Sequence, residues 1–249
     1  MPHLSSATFL ILAVVFLATM IRSTFGFGEA LVAVPLLALT TSVQIAAPLA
    51  VLLSITVAGV VVVQDWRKIH LRSTAWLLAP TFVGIPLGVG LLTSAYQHAV
   101  KAVLAIVIMA FSAYFLFARK PPELHGDNRL WLLVCGFLAG VLGGAYGMNG
   151  PPLVLYGAMR RWSPQHFRAT LQGYFLPASV VAMAGYWLAG LWVPAVTHYF
   201  LVSLTVAIPA TFLGRLLNHR LDKTAFLGYI YAGLFCIGAL LLLQTFRTA

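Results

Sequence analysis

Two stretches hold most of the residue types able to do chemistry. The first, Arg22-Ser23-Thr24-Phe25-Gly26-Phe27-Gly28-Glu29, joins an arginine, a glutamate and two glycines between apolar runs. The second, Gly143-Gly144-Ala145-Tyr146-Gly147-Met148-Asn149-Gly150-Pro151-Pro152, lies 121 residues further on. An arginine at membrane depth costs about 2.5–3.5 kcal/mol on insertion scales and marks a functional pathway. At the end of a full-length helix the same residue can instead snorkel to the interface. Glu29 is the one carboxylate outside the loops. It could pair with Arg22, exchange a proton during transport, or sit as an acid favoured at a helix N-terminus. Gly26, Gly28, Gly147 and Gly150 suit broken helix ends, whose free N–H groups and partial positive charge attract anions. Asn149 adds a side-chain amide, and Pro151 suits a first helical turn. Glycine can equally serve close helix packing alone.

Other polar residues fall inside apolar segments. Ser54, Thr56 and Gln172 could line a substrate path or bond a neighbouring helix, and the latter is favoured. Arg168 could gather anions at a cytoplasmic mouth or act only as a topology charge. The seven histidines make no pair at helical spacing, so neither a metal site nor a catalytic residue is expected, and no cofactor. Cys135 and Cys236 have no ligand spacing and read as small apolar residues.

The elements that must position these residues are membrane helices. The chain of 249 residues is 61% hydrophobic and only 8% charged, against roughly 25% charged in soluble domains. Apolar runs near helix-spanning length recur throughout, and strand-like alternation is absent, so a helical bundle is expected rather than a barrel. The net charge of +10 does not imply nucleic-acid binding, because no folded soluble domain offers a basic face. Residues 1–6 lack the basic start of a cleaved signal peptide, so the first helix is expected to remain.

The segments read approximately as 6–21, 30–41, 45–64, 73–93, 97–118, 130–142, 152–159, 169–190, 193–214 and 223–246. A polar linker, 119–129, separates a first repeat (1–118) from a second (130–249) within one transporter domain. Leu12, Phe16-Leu17-Ala18, Gly26, Ser42 and Gln44 match Leu133, Phe137-Leu138-Ala139, Gly147, Ser163 and Gln165 at a constant offset of 121. The loops after segments 3, 5, 7 and 9 hold 12 of the 15 lysines and arginines. Cytoplasmic loops carry that excess, which puts both termini outside. Five segments per half is odd, and the basic and uncharged loops exchange between halves, as an inverted repeat requires. The expected fold is therefore an all-α polytopic membrane protein. It is an inverted repeat of two five-segment halves, with short, broken or re-entrant helices at the glycine-rich motifs.

The chain resembles the TauE/SafE family of sulfite exporters and related anion permeases. The resemblance rests on Gly147-Met-Asn-Gly-Pro-Pro-Leu-Val-Leu-Tyr156 followed by Phe167-Arg168-Ala169-Thr170-Leu171, with glycine-rich breaks in both halves, Pro35 and the central linker. Glu29-Ala30 departs from the family's extra glycines. The resemblance implies movement of sulfite, an organosulfonate or a related oxyanion across the cytoplasmic (inner) membrane, with export the expected direction. The substrate-binding set would be Arg22, Gly26, Gly28, Gly147, Asn149, Gly150 and Gln172. Glu29 would be a proton-coupling group or ion-pair partner, and Arg168 would stand at the cytoplasmic mouth. Two alternatives remain: an intramembrane enzyme acting on a lipid phosphate, or a proton- or sodium-coupled carrier of another small solute. The expected partners are a small anion and the lipid bilayer, with homo-oligomerisation open.

Overall fold

The computed structural model describes residues 6–65, 71–94, 96–117, 123–124, 128–162, 164–217 and 223–248. The topology charges Arg67, Lys68, Arg119, Lys120 and Arg220, and residues 1–5, lie outside them. The described residues form ten helices and no strand: α1 (Ser6–Phe25), α2 (Glu29–Ala38), α3 (Val43–Asp65), α4 (Leu71–Leu92), α5 (Gln97–Phe117), α6 (Arg129–Tyr146), α7 (Gly150–Met159), α8 (Pro164–Leu188), α9 (Pro194–Leu217) and α10 (Lys223–Thr248). Six of these are long and apolar enough to cross a membrane among the described residues. The chain is a multi-pass membrane protein.

The first segment runs four residues further than its apolar stretch suggested, through Arg22 to Phe25. Helix α2 spans 10 residues and so does α7. At 1.5 Å per residue each is about 15 Å long, half the hydrocarbon thickness. Shifted by 121 residues, the bounds of α2 fall on those of α7, and the C-terminus of α1 falls on that of α6.

The core forms where the helices meet one another. Helix α4 packs along α6, and α1 along α9; α3 lies on α8, and α5 on α10. Exchanging α1–α5 for α6–α10 converts the first pair into the second and returns each of the last two to itself. The α4–α6 contact is close because glycine faces backbone there: a Cβ at Gly136 would stand 2.6 Å from the Leu77 carbonyl oxygen. Thr81 Oγ1 bonds the Gly136 carbonyl at 2.8 Å across the same seam. In the α1–α9 seam Gly214 plays that part, lying against the Met20 carbonyl, while Thr24 Oγ1 donates to the Gly214 carbonyl at 3.1 Å. Exposed leucine, valine and phenylalanine side chains remain on the outer faces of α4, α6 and α9, as a lipid-facing surface requires.

Candidate functional site

Glycine ends α1. Gly26 has φ 88° and Gly28 φ 101°, left-handed values that an L side chain adopts only with strain. The Gly26 amide closes the last turn on the Arg22 carbonyl at 2.6 Å, and after Phe27 the chain re-enters a helix at Glu29. The second break has the same design. Gly147 caps α6 with φ 67°, and its amide donates to the Gly143 carbonyl at 2.8 Å. Gly26 and Gly147 are the matched pair of the 121-residue offset, so the sequence repeats the one residue type that this turn needs.

Each charge stands where a helix dipole favours it. Arg22 is in the last turn of α1 and Glu29 in the first turn of α2, beside partial negative and positive ends respectively. They form an ion pair, Arg22 Nη1 to Glu29 Oε2 at 2.5 Å, with side chains only 4% and 2% exposed. Thr19 Oγ1 donates to Glu29 Oε1 at 3.0 Å, so both carboxylate oxygens are satisfied. Arg22 Nη1 also donates to Ser54 Oγ at 2.7 Å, and Nη2 to Gln172 Oε1 at 3.2 Å. The guanidinium lies 5.1 Å from the Phe175 ring centroid, a cation–π distance. Its Nε is buried with no hydrogen-bond partner. Gln172 is held in turn by its own amide, which donates to the Gly26 carbonyl at 3.0 Å, and Ser179 Oγ donates to Ser54 Oγ at 3.1 Å.

This geometry does not fit the snorkelling reading of Arg22. A snorkelling arginine keeps its head in water; this one is buried against residues of α2, α3 and α8. Replacing a buried ion pair by packed apolar side chains is often neutral or stabilising, while removing one partner costs about 3–5 kcal/mol. Stability alone is therefore a poor reason for the pair.

The second break lacks a charge. The positions matching Arg22 and Glu29 at the 121-residue offset are Gly143 and Gly150. Asn149 occupies the space beside Gly143, and its Nδ2 donates to the Ala139 carbonyl at 3.3 Å. That bond ties the amide to α6, and Asn149 also lines the cavity described below. Tyr186 Oη donates to the Gly143 carbonyl at 3.0 Å, and Tyr174 Oη meets Thr81 Oγ1 at 2.6 Å. Helix α7 begins Gly150-Pro151-Pro152. Proline has no N–H, so Gly150 alone offers one among these three, whereas Glu29, Ala30 and Leu31 all can in α2.

Both breaks line one cavity. Gly28 and Glu29 contribute from the first, Gly147, Asn149 and Gly150 from the second, with Arg22 and Ser54 between them. Its volume is about 20 Å³, room for one or two waters. A sulfur oxyanion does not fit without widening. The ion pair cancels to first order; the N-termini of α2 and α7 each bring about half a positive charge, and the C-termini of α1 and α6 lie beside them.

Of the residues singled out from sequence, Arg22, Gly28, Glu29, Gly147, Asn149 and Gly150 meet here. Gly26 and Gln172 stand behind them, positioning the guanidinium. Arg168 lies near the start of α8, its side chain outside the described residues. Ser54 both lines the cavity and bonds other helices, where the sequence favoured only the second role; Thr56 bonds its own helix, to the Leu52 carbonyl at 3.0 Å. Thr19, Phe175 and Ser179 were not foreseen. Among the described residues no group of three or more histidines, cysteines or acids could hold a metal.

A family model described as "Sulfite exporter TauE/SafE" matches residues 11–242. No curated protein and no solved structure gave a match.

Proposed function

The chain belongs to the TauE/SafE sulfite exporter family, and from that premise we propose that it is a permease for a small sulfur anion at the cytoplasmic membrane. The substrate class is sulfite, an organosulfonate or a related oxyanion, and the direction is export. The observation that carries this reading is the single cavity shared by two helix breaks, with Arg22 on its wall. Helix N-termini and a guanidinium are the groups that recognise an oxyanion.

The two halves are an inverted repeat, with residues 1–118 and 130–249 entering the membrane from opposite faces. Three observations support this: the matching bounds of α2 and α7, the helix pairs that survive an exchange of halves, and the alternation of basic loops. On this reading α2 and α7 are half-length helices whose N-termini approach the substrate from opposite sides, and both chain termini are outside. The cavity as it stands is too small for such an anion. Movement of one half against the other opens it to each face in turn, as in other repeat-built carriers.

The test is flux in vesicles reconstituted with purified protein, using sulfite, thiosulfate, sulfate and methanesulfonate. Saturable movement of at least one is expected, with loss in Gly28→Val and in Gly150→Val while membrane insertion persists. Normal flux in both variants would sink the two-break site.

A further inference from the structure

We infer that the anion and Glu29 compete for Arg22, so that each anion bound is accompanied by a proton taken up by Glu29. This rests on the permease reading above. The guanidinium has five N–H donors, and three are bonded, to Glu29, Ser54 and Gln172. Nε is unpartnered. Glu29 is itself a wall of the cavity. The one full positive charge there is thus already matched by a resident carboxylate at the place where an anion would go.

The charge balance follows. With Glu29 ionised and the cavity empty, the pair is neutral. When an anion enters, a negative carboxylate and a negative ligand face one guanidinium in a buried space. Proton uptake by the carboxylate restores the balance: Glu29–COO⁻ paired with Arg22, plus a proton and an anion, becomes Glu29–COOH beside an Arg22–anion pair. Thr19 Oγ1, now a donor to Oε1, can turn and accept from the new carboxylic acid, because a hydroxyl does both. Binding of anion and binding of proton then favour each other reciprocally.

Among the described residues nothing else competes for this role. Helix α2 packs on α1, α3, α5 and α10. The ionisable side chains described on those helices are Arg22, His98, Lys101, Tyr114, Tyr231, Cys236 and Arg247, those of Asp65, Lys223 and Tyr229 lying outside the described ones, and Tyr174 and Tyr186 stand on α8. Lys101 bonds Gln244, Tyr231 packs on Phe111 and Phe115, and Tyr174 and Tyr186 bond Thr81 and the Gly143 carbonyl. Among the described residues, only Arg22 and Thr19 bond the Glu29 carboxylate.

The experiment measures proton uptake on anion binding by purified full-length protein in weakly buffered detergent solution with a pH dye. The probes are thiosulfate and methanesulfonate, with sulfite corrected for its own titration. About one proton per anion is expected over the range where Glu29 starts ionised, with affinity rising up to about tenfold per unit fall in pH there. Glu29→Gln should bind with an affinity flat in pH and take up no proton. Binding by the unmodified protein without proton uptake overturns the inference and leaves the permease reading standing. A Glu29→Gln protein with the same pH dependence also overturns it. Absence of binding by all three probes at every pH overturns the permease reading and this inference with it.

Discussion

Replacing Arg22 by glutamine leaves the Glu29 carboxylate with Thr19 as its one hydrogen-bond partner among the described residues. Both side chains of the pair are almost wholly buried, and the expected cost is about 3–5 kcal/mol. Glu29→Gln should cost less, near the lower end of that range, because Arg22 keeps Ser54, Gln172 and the Phe175 ring. The double variant Arg22→Gln/Glu29→Gln puts two neutral amides where two charges were. It should be more stable than Arg22→Gln alone, with a coupling energy of about 2 kcal/mol or more. For a chain of this size 1 kcal/mol moves the melting temperature by about 2–4 °C, so Arg22→Gln should melt roughly 6–20 °C lower. Thermal unfolding of all four proteins in one detergent, followed by tryptophan fluorescence, closes the cycle. Additive losses, with the double variant the least stable of the four, would refute a buried pair worth describing as a unit.

Three further outcomes follow from the same structure. Gly88→Ala drives a methyl group into the Val141 carbonyl across the α4–α6 seam and should cost about 1–3 kcal/mol, whereas Gly59→Ala meets nothing within 4 Å and should be neutral or stabilising by up to about 1 kcal/mol; melting of the two variants side by side checks this. Gly26→Ala and Gly147→Ala each force a left-handed backbone on an L residue and should lose about 1–2 kcal/mol, with asparagine at either position losing less. Phe175→Leu removes the cation–π contact with Arg22 and should cost about 0.5–2 kcal/mol, read as a lower melting temperature.

The helices were legible because spanning a bilayer leaves few ways to satisfy a backbone. Apolar length alone located all ten. Helix ends were less so: α1 continues through the polar Arg22-Ser23-Thr24, because those side chains are buried against other helices, and hydropathy counts them as if they faced water. The breaks were readable since glycine at Gly26 and Gly147 is the chemical requirement of the turn itself. What sat around Arg22 was not. Gln172 is 150 residues away and was noticed as a polar residue in an apolar helix; Phe175 and Ser179, on the same helix, look like ordinary membrane residues. Nothing local in the sequence says that α8 packs against α3 and reaches the end of α1. The one-sided charge was legible: the offset of 121 sets Gly143 and Gly150 opposite Arg22 and Glu29, and the second break carries no charge. Asn149 stands at the second break as the sequence suggests, while the Ala139 carbonyl that its amide meets is not legible locally.

The central claim is that the anion sits between the two breaks, on Arg22. The most direct measurement is an experimental structure with selenate or thiosulfate bound, located by anomalous scattering from its heavier atom. The anion is expected between Gly28 and Gly150, with an oxygen about 3 Å from a guanidinium nitrogen of Arg22. An anion bound at saturating concentration somewhere else, with the Arg22–Glu29 pair intact and the cavity still closed, would contradict the claim.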